Sequence, residues 1–185
     1  MNPSAQTHES PYSLVSPIMA LDEELLALSS ADGAEKAAQD TTEWLCVRFG
    51  PIGLLLPATA GRELLDPPPA ARLPHTPPWF AGLANVRGAL VPMVDTASAL
   101  DVQHDAEARR YLLVFHHGDE ALGLIVDGLP RRQGFEETER LRSLPPHPPL
   151  LDGLLAGAYG RSGQIWFEID IEGFFRTLAQ RIAQA

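Results

Sequence analysis

The chain has 185 residues, 45% hydrophobic and 21% charged, enough for one domain or two small subdomains sharing a core, with no need of a metal or disulfide. Its formal net charge of -10 is uneven: residues 1–43 hold eight acidic residues against Lys36 alone, while the remainder holds sixteen against thirteen arginines. A body so nearly balanced argues against nucleic-acid binding driven by phosphate neutralisation, and the single cysteine, Cys46, excludes an internal disulfide and a cysteine metal cluster.

The first 43 residues read as an acidic extension. Met1 to Pro17, with Pro3, Pro11 and Pro17, has the composition of a flexible arm. Ile18, Leu21, Leu25 and Leu28 follow a three- and four-residue spacing that predicts a short helical face. Asp22, Glu23 and Glu24 sit near its start, at the positive end of the helix dipole. Ser29 to Glu43 reads as a polar linker. No basic residue precedes Lys36, so a secretory n-region is missing, and no apolar run approaches the ~20 residues that cross a bilayer. The expectation is a cytoplasmic protein without direct membrane insertion.

The body is expected to span residues 44–185. From Trp44 to Phe49 the side chains alternate, with Leu45, Val47 and Phe49 on one face; Gly50-Pro51-Ile52-Gly53 turns the chain into a return strand at Leu54–Leu56. The proline-dense passage from Pro67 to Pro78 predicts a connecting loop. Beyond it, Leu83–Val86 and Ala89–Val94 predict a hairpin turning at Arg87-Gly88. Asp95 suits an N-cap for one helical turn over Thr96–Leu100. Two further hairpins follow, Tyr111–Phe115 with Ala121–Val126 and Leu154–Tyr159 with Ile165–Ile169. The chain ends in an amphipathic helix capped by Asp170, with Ile171, Phe174, Phe175, Leu178 and Ile182 on one face. Many short strands punctuated by turns point to small β-barrels, not to a parallel sheet.

Catalytic patterns are weak. His116-His117-Gly118-Asp119 is the only histidine cluster and is explained by turn chemistry without a metal. Cys46 lies inside a strand with no basic neighbour to activate it. Asp95 and Asp127 each end an apolar strand, as a carboxylate pair might, but strand-ending turns favour Asp in any case. The sequence holds no phosphate-cradling glycine loop and no nucleophile elbow. Trp44 and Trp166 offer possible stacking faces, more simply read as core or groove-lining residues. What stands out is Trp79-Phe80-Ala81-Gly82-Leu83-Ala84-Asn85-Val86-Arg87-Gly88-Ala89-Leu90-Val91-Pro92-Met93-Val94-Asp95, a hairpin with Asn, Arg and Gly at its tip. There Gly88 is expected to supply a positive φ, and Arg87 projects from an anchored turn, on local physics equally a bidentate donor to a partner or an ordinary solvated hairpin arginine.

That segment resembles the signature of CheW-like domains: an aromatic, a glycine, Asn-Leu-Arg-Gly and Val-Pro-x-Val-Asp, in this order. Gly61-Arg62-Glu63-Leu64, Leu122 to Leu129 and Leu151 to Asp170 resemble three further segments of the same family, in order and at compatible spacing. The resemblance implies a mainly β fold of two SH3-like five-stranded β-barrel subdomains on a shared apolar core, with a groove between them and a C-terminal α-helix. It implies an adaptor, not an enzyme, with no cofactor and no metal. Such an adaptor joins the regulatory domain of a histidine kinase to the cytoplasmic tip of a methyl-accepting chemoreceptor. Arg87, Asn85, Gly88 and Glu63 fall on positions that the resemblance links to partner contact. Departures at Val86, Gly61, Arg131-Arg132 and Trp166-Phe167, with the N-terminal extension, point to a divergent branch, of the PilI type serving type IV pilus twitching motility in preference to flagellar chemotaxis. The rival class is a small-barrel nucleic-acid-binding module, which predicts salt-sensitive oligonucleotide binding.

Overall fold

The structure, a computed structural model, describes residues 41–61, 63–116 and 120–184. These residues form eleven strands and two α-helices. The first part holds β1 (Thr41–Phe49), β2 (Ile52–Pro57), β3 (Glu63–Leu65), β4 (Ala70–Ala71), β5 (Phe80–Val86), β6 (Ala89–Asp95) and the single turn α1 (Thr96–Ala99). The second holds β7 (Arg110–Phe115), β8 (Leu122–Asp127), β9 (Arg131–Glu136), β10 (Leu155–Arg161), β11 (Gln164–Ile169) and α2 (Ile171–Ala183). The helix expected over Ile18–Leu28 lies outside the described residues.

The strands divide into a five-stranded sheet, ordered β10-β11-β2-β1-β9, and a six-stranded sheet, ordered β3-β7-β8-β6-β5-β4. Each is built on one plan. Two antiparallel hairpins meet through a parallel pair of strands, β2 with β11 in the first sheet and β6 with β8 in the second. The first sheet curls towards closure, since Arg140, beyond β9, bridges Tyr159 on β10.

All four hairpins read from the sequence are present as antiparallel strand pairs. β1 nevertheless begins at Thr41, three residues before Trp44, where Thr41, Thr42 and Glu43 pair with Glu136, Phe135 and Gly134 of β9. Their polar character suggested linker; the partner strand supplies the ladder that local composition does not advertise. β4 lies within the proline-dense passage. Ala70 and Ala71 have the free N–H groups that the neighbouring prolines lack, and they pair with Ala84 and Leu83.

Three apolar clusters follow from strand alternation. Val47, Phe49, Leu54, Leu56, Val94, Leu113, Phe115, Leu124, Val126, Phe167 and Phe174 form a core to which both sheets and α2 contribute. Cys46, Leu55, Phe135, Tyr159 and Trp166, from the opposite faces of the same strands, fill the five-stranded barrel. Val86, Val91, Met93, Leu112 and Val114 fill the six-stranded one. β1 and β2 are thus buried on both faces, which explains the unbroken Leu54-Leu55-Leu56 run. The architecture is the expected one: two small barrels on a shared core with a terminal helix.

The helix carries its predicted face inward: Ile171, Phe174 and Leu178 are buried, while Phe175 and Ile182 are half-buried. The Asp170 carboxylate accepts from the Gly173 N–H at 3.0 Å, as an N-cap should. Asp170→Ala is expected to cost about 1 kcal/mol of stability, read as a lower urea midpoint with unchanged slope. No helix among the described residues is long and apolar enough to cross a membrane.

Candidate partner-binding site

Between β5 and β6 the chain reverses over Val86-Arg87-Gly88-Ala89. Both central residues are left-handed, Arg87 at φ 51° and Gly88 at φ 89°, the type I′ pattern whose twist matches the flanking strands. Gly88 adopts this conformation without steric cost, as expected. Nothing lies within 4 Å of where its Cβ would be, so backbone angle alone, not space, reserves the position for glycine. Arg87 shares the unfavourable region, which the sequence did not announce; a non-glycine residue there costs on the order of 1 kcal/mol. The Asn85 side-chain oxygen accepts the Gly88 N–H at 2.9 Å and pins the turn from within.

Arg87 Nε donates to Glu63 Oε1 at 2.8 Å. Glu63 belongs to β3, at one end of the strand order, while Arg87 belongs to the hairpin beside β4 at the other end, so the pair spans the mouth of the curled sheet. The Arg87 side chain is 81% exposed and Glu63 29% exposed, leaving most of the guanidinium in water. Leu64 follows Glu63 and Leu90 follows the turn; both are exposed, Leu90 at 66%. All four predicted positions, Glu63, Asn85, Arg87 and Gly88, are therefore gathered on one surface. An apolar groove of about 390 Å³ lies elsewhere, against α2, lined by Pro92, Ala121, Leu122, Phe175, Ala179 and Ile182.

Other candidates resolve differently. Trp166 is buried, its ring 6.3 Å from that of Phe135, and does not offer an open stacking face, while the half-buried Trp44 packs against the same cluster. Among the described residues no His, Cys, Asp and Glu group is arranged to hold a metal ion. Cys46 is buried, and burial pushes its thiol up to about 11, opposed by the Arg161 charge. From the ordinary 9.0 this is a drop in thiolate of about a hundredfold at neutral pH, so maleimide labelling of the folded protein is expected to be slower than that of the urea-unfolded chain by at least this factor. Asp95 and Asp127 are brought together, but by a residue that sequence reading passed over: His104 stands between them, its two ring nitrogens 2.8 Å from Asp95 Oδ1 and 2.6 Å from Asp127 Oδ1. The residue pattern gave no signal for this, since a lone loop histidine meets strand-end carboxylates only after the sheet has folded.

Comparison with known proteins agrees with this geometry. Residues 43–179 match the CheW-like domain. Protein PilI of Pseudomonas aeruginosa is 28% identical over 85% of this chain and 87% of its own length. A probable chemotaxis protein CheW of Rhizobium etli is 30% identical over 49% of this chain and 59% of its own. Among solved structures, the scaffolding protein TtCheW of Thermoanaerobacter tengcongensis superposes with a TM-score of 0.60 at 15% identity, covering 73% of this chain and 88% of that one, a likeness of fold. With the family signature carried on a barrel hairpin and the match extending over most of the chain, this protein belongs to the CheW-like domain family.

Proposed function

We propose that the chain is a non-catalytic, cytoplasmic adaptor that couples a methyl-accepting chemoreceptor to the regulatory domain of a histidine kinase. The twitching-motility branch is favoured over the flagellar one, because the match to PilI runs nearly end to end whereas that to the Rhizobium etli chemotaxis protein covers about half of this chain. The single observation that carries the adaptor reading is the Arg87–Glu63 pair. An exposed ion pair is worth about 0–1 kcal/mol to a fold, and Arg87 meets it from a left-handed backbone that costs about as much. Stability does not account for the pair, whereas presentation of a guanidinium beside the exposed Leu90 to a protein surface does. Arg87 and Glu63 are the polar anchors in this reading; Asn85 and Gly88 hold the turn that aims Arg87.

An adaptor needs a second face, and in this reading that role falls to the groove beside α2, whose Pro92 lies on the same face of β6 as Leu90. Size-exclusion and calorimetry with the kinase regulatory domain and a receptor-tip fragment from the same organism test the proposal. A roughly one-to-one complex with each, and a ternary complex with both, is expected. No binding to the kinase domain, or competition between the two partners for one face, rejects it. Nucleic-acid binding has lost its support: the body carries sixteen acidic residues against thirteen arginines, and Trp166 is buried.

A further inference from the structure

The Asp95–His104–Asp127 bridge is not used by the adaptor reading and stands apart from it. Asp95 ends β6, at the opposite end of that strand from the Arg87 turn, and Asp127 ends β8. Asp127 Oδ2 also accepts the N–H of Asp105 at 3.1 Å and, at 2.6 Å, that of Gly50 in the β1–β2 turn. This one carboxylate, its side chain 1% exposed, therefore ties the five-stranded sheet to the six-stranded sheet and to the loop that follows α1.

With both carboxylates ionised, each ring nitrogen of His104 can bond them only by donating, and only the doubly protonated imidazole carries two N–H groups. A singly protonated ring would set a nitrogen lone pair against carboxylate oxygen at hydrogen-bond distance. The other charged groups around the bridge are Arg48, at the end of β1, whose Nη2 donates to the Gly50 carbonyl at 3.2 Å, Asp105, beside His104 in the loop, and Arg131, which lines one pocket with Asp127 and Asp105. Among them the ring is the group that bonds both bridging carboxylates directly.

We propose that His104 is a proton-dependent clasp between the two sheets, closed while the ring holds two protons and loosened as rising pH removes one. Because Asp127 also holds the Gly50 N–H, opening the clasp bears on the contact between the two sheets.

Ring-nitrogen NMR and amide exchange on the full chain, between about pH 5 and 8, test this. Both His104 nitrogens are expected to be protonated at the acid end. Loss of the second proton is expected to lower the protection of the Gly50 and Asp105 amides about tenfold after correction for base catalysis, the size that losing a charge-assisted hydrogen bond produces. Asp95→Asn is the decisive variant: its Oδ1 still accepts the Ser98 N–H and a ring N–H, but the neutral amide no longer holds the second ring proton by charge, so the pH step should move to lower pH. In His104→Gln the step should vanish; should that variant not fold, Asp95→Asn and the wild type still decide. A ring nitrogen unprotonated throughout the range, or Gly50 protection indifferent to pH in the wild type, overturns the clasp.

Discussion

Gly50→Ala is expected to remove at least about 4 kcal/mol of stability, most of what a small domain possesses, and to leave little folded protein. Two separate obstacles combine. Gly50 sits at φ 57°, in the left-handed region, where any Cβ costs about 1–2 kcal/mol. A Cβ there would also lie 1.9 Å from the Gln103 carbonyl oxygen. That neighbour is backbone, fixed in turn by the Val102 N–H bonded to Ala97 and by His104 in its bridge, so it cannot swing aside as a side chain would. Moving the turn instead would break the 2.6 Å bond from Gly50 N–H to the buried Asp127, leaving a carboxylate short of a donor. Gly163→Ala is the control. It too has a positive φ, 75°, at the β10–β11 turn, but nothing lies within 4 Å of its would-be Cβ, so only about 1 kcal/mol should be lost. Urea midpoints and soluble yields of the two variants separate close approach from backbone angle. Equal losses in both would mean that the inter-sheet contact at Gly50 is unimportant.

The contrast between these two glycines shows what the sequence could and could not reveal. Both were legible as turn residues, because turn chemistry is local: Gly50-Pro51 and Ser162-Gly163 announce reversals whatever surrounds them. That one of them is wedged between sheets depends on residues more than fifty positions away. The same division runs through the fold. β1 was readable from its alternation, and β5 to β8 as apolar runs bounded by turn signals. β9, with Arg131, Arg132, Gln133 and Glu136, was not, because its residues are mostly exposed or half-buried and it lies at the end of the strand order, where only Phe135 is buried. β3 and β4 are too short to show a period at all.

The site divides likewise. Arg87, Asn85, Gly88 and Glu63 were picked out through family resemblance, and Gly88 also through its turn. Local physics left Arg87 undecided between a solvated hairpin arginine and an anchor. What it lacked was the partner across the barrel mouth and the left-handed backbone, both of which appear only when β3 has curled round to the β5–β6 hairpin. His104 was invisible for the same reason. Each of its two carboxylates was noticed as a strand end; the histidine joining them sits in a loop with no pattern of its own.

Charge reversal at the turn is expected to have the largest effect on binding. In Arg87→Glu, the new carboxylate faces Glu63 instead of donating to it, and any acidic or carbonyl group that a kinase domain offers to Arg87 meets like charge. Affinity should fall about a hundredfold, the loss of a principal interface residue. The fold should scarcely notice, because the side chain is 81% exposed and an exposed pair contributes little. Arg87→Gly separates the two roles further. It relieves the left-handed strain and should raise stability by up to about 1 kcal/mol while still weakening binding. The double variant Arg87→Glu with Glu63→Arg rebuilds an ion pair in reverse. If the pair serves only to brace the hairpin, binding returns; if the partner reads the guanidinium at position 87, binding stays low despite a normal urea midpoint. Calorimetry against the kinase regulatory domain at two salt concentrations, alongside denaturation of each variant, distinguishes these outcomes. Binding by Arg87→Glu within twofold of the unmodified chain would remove the turn from the interface altogether.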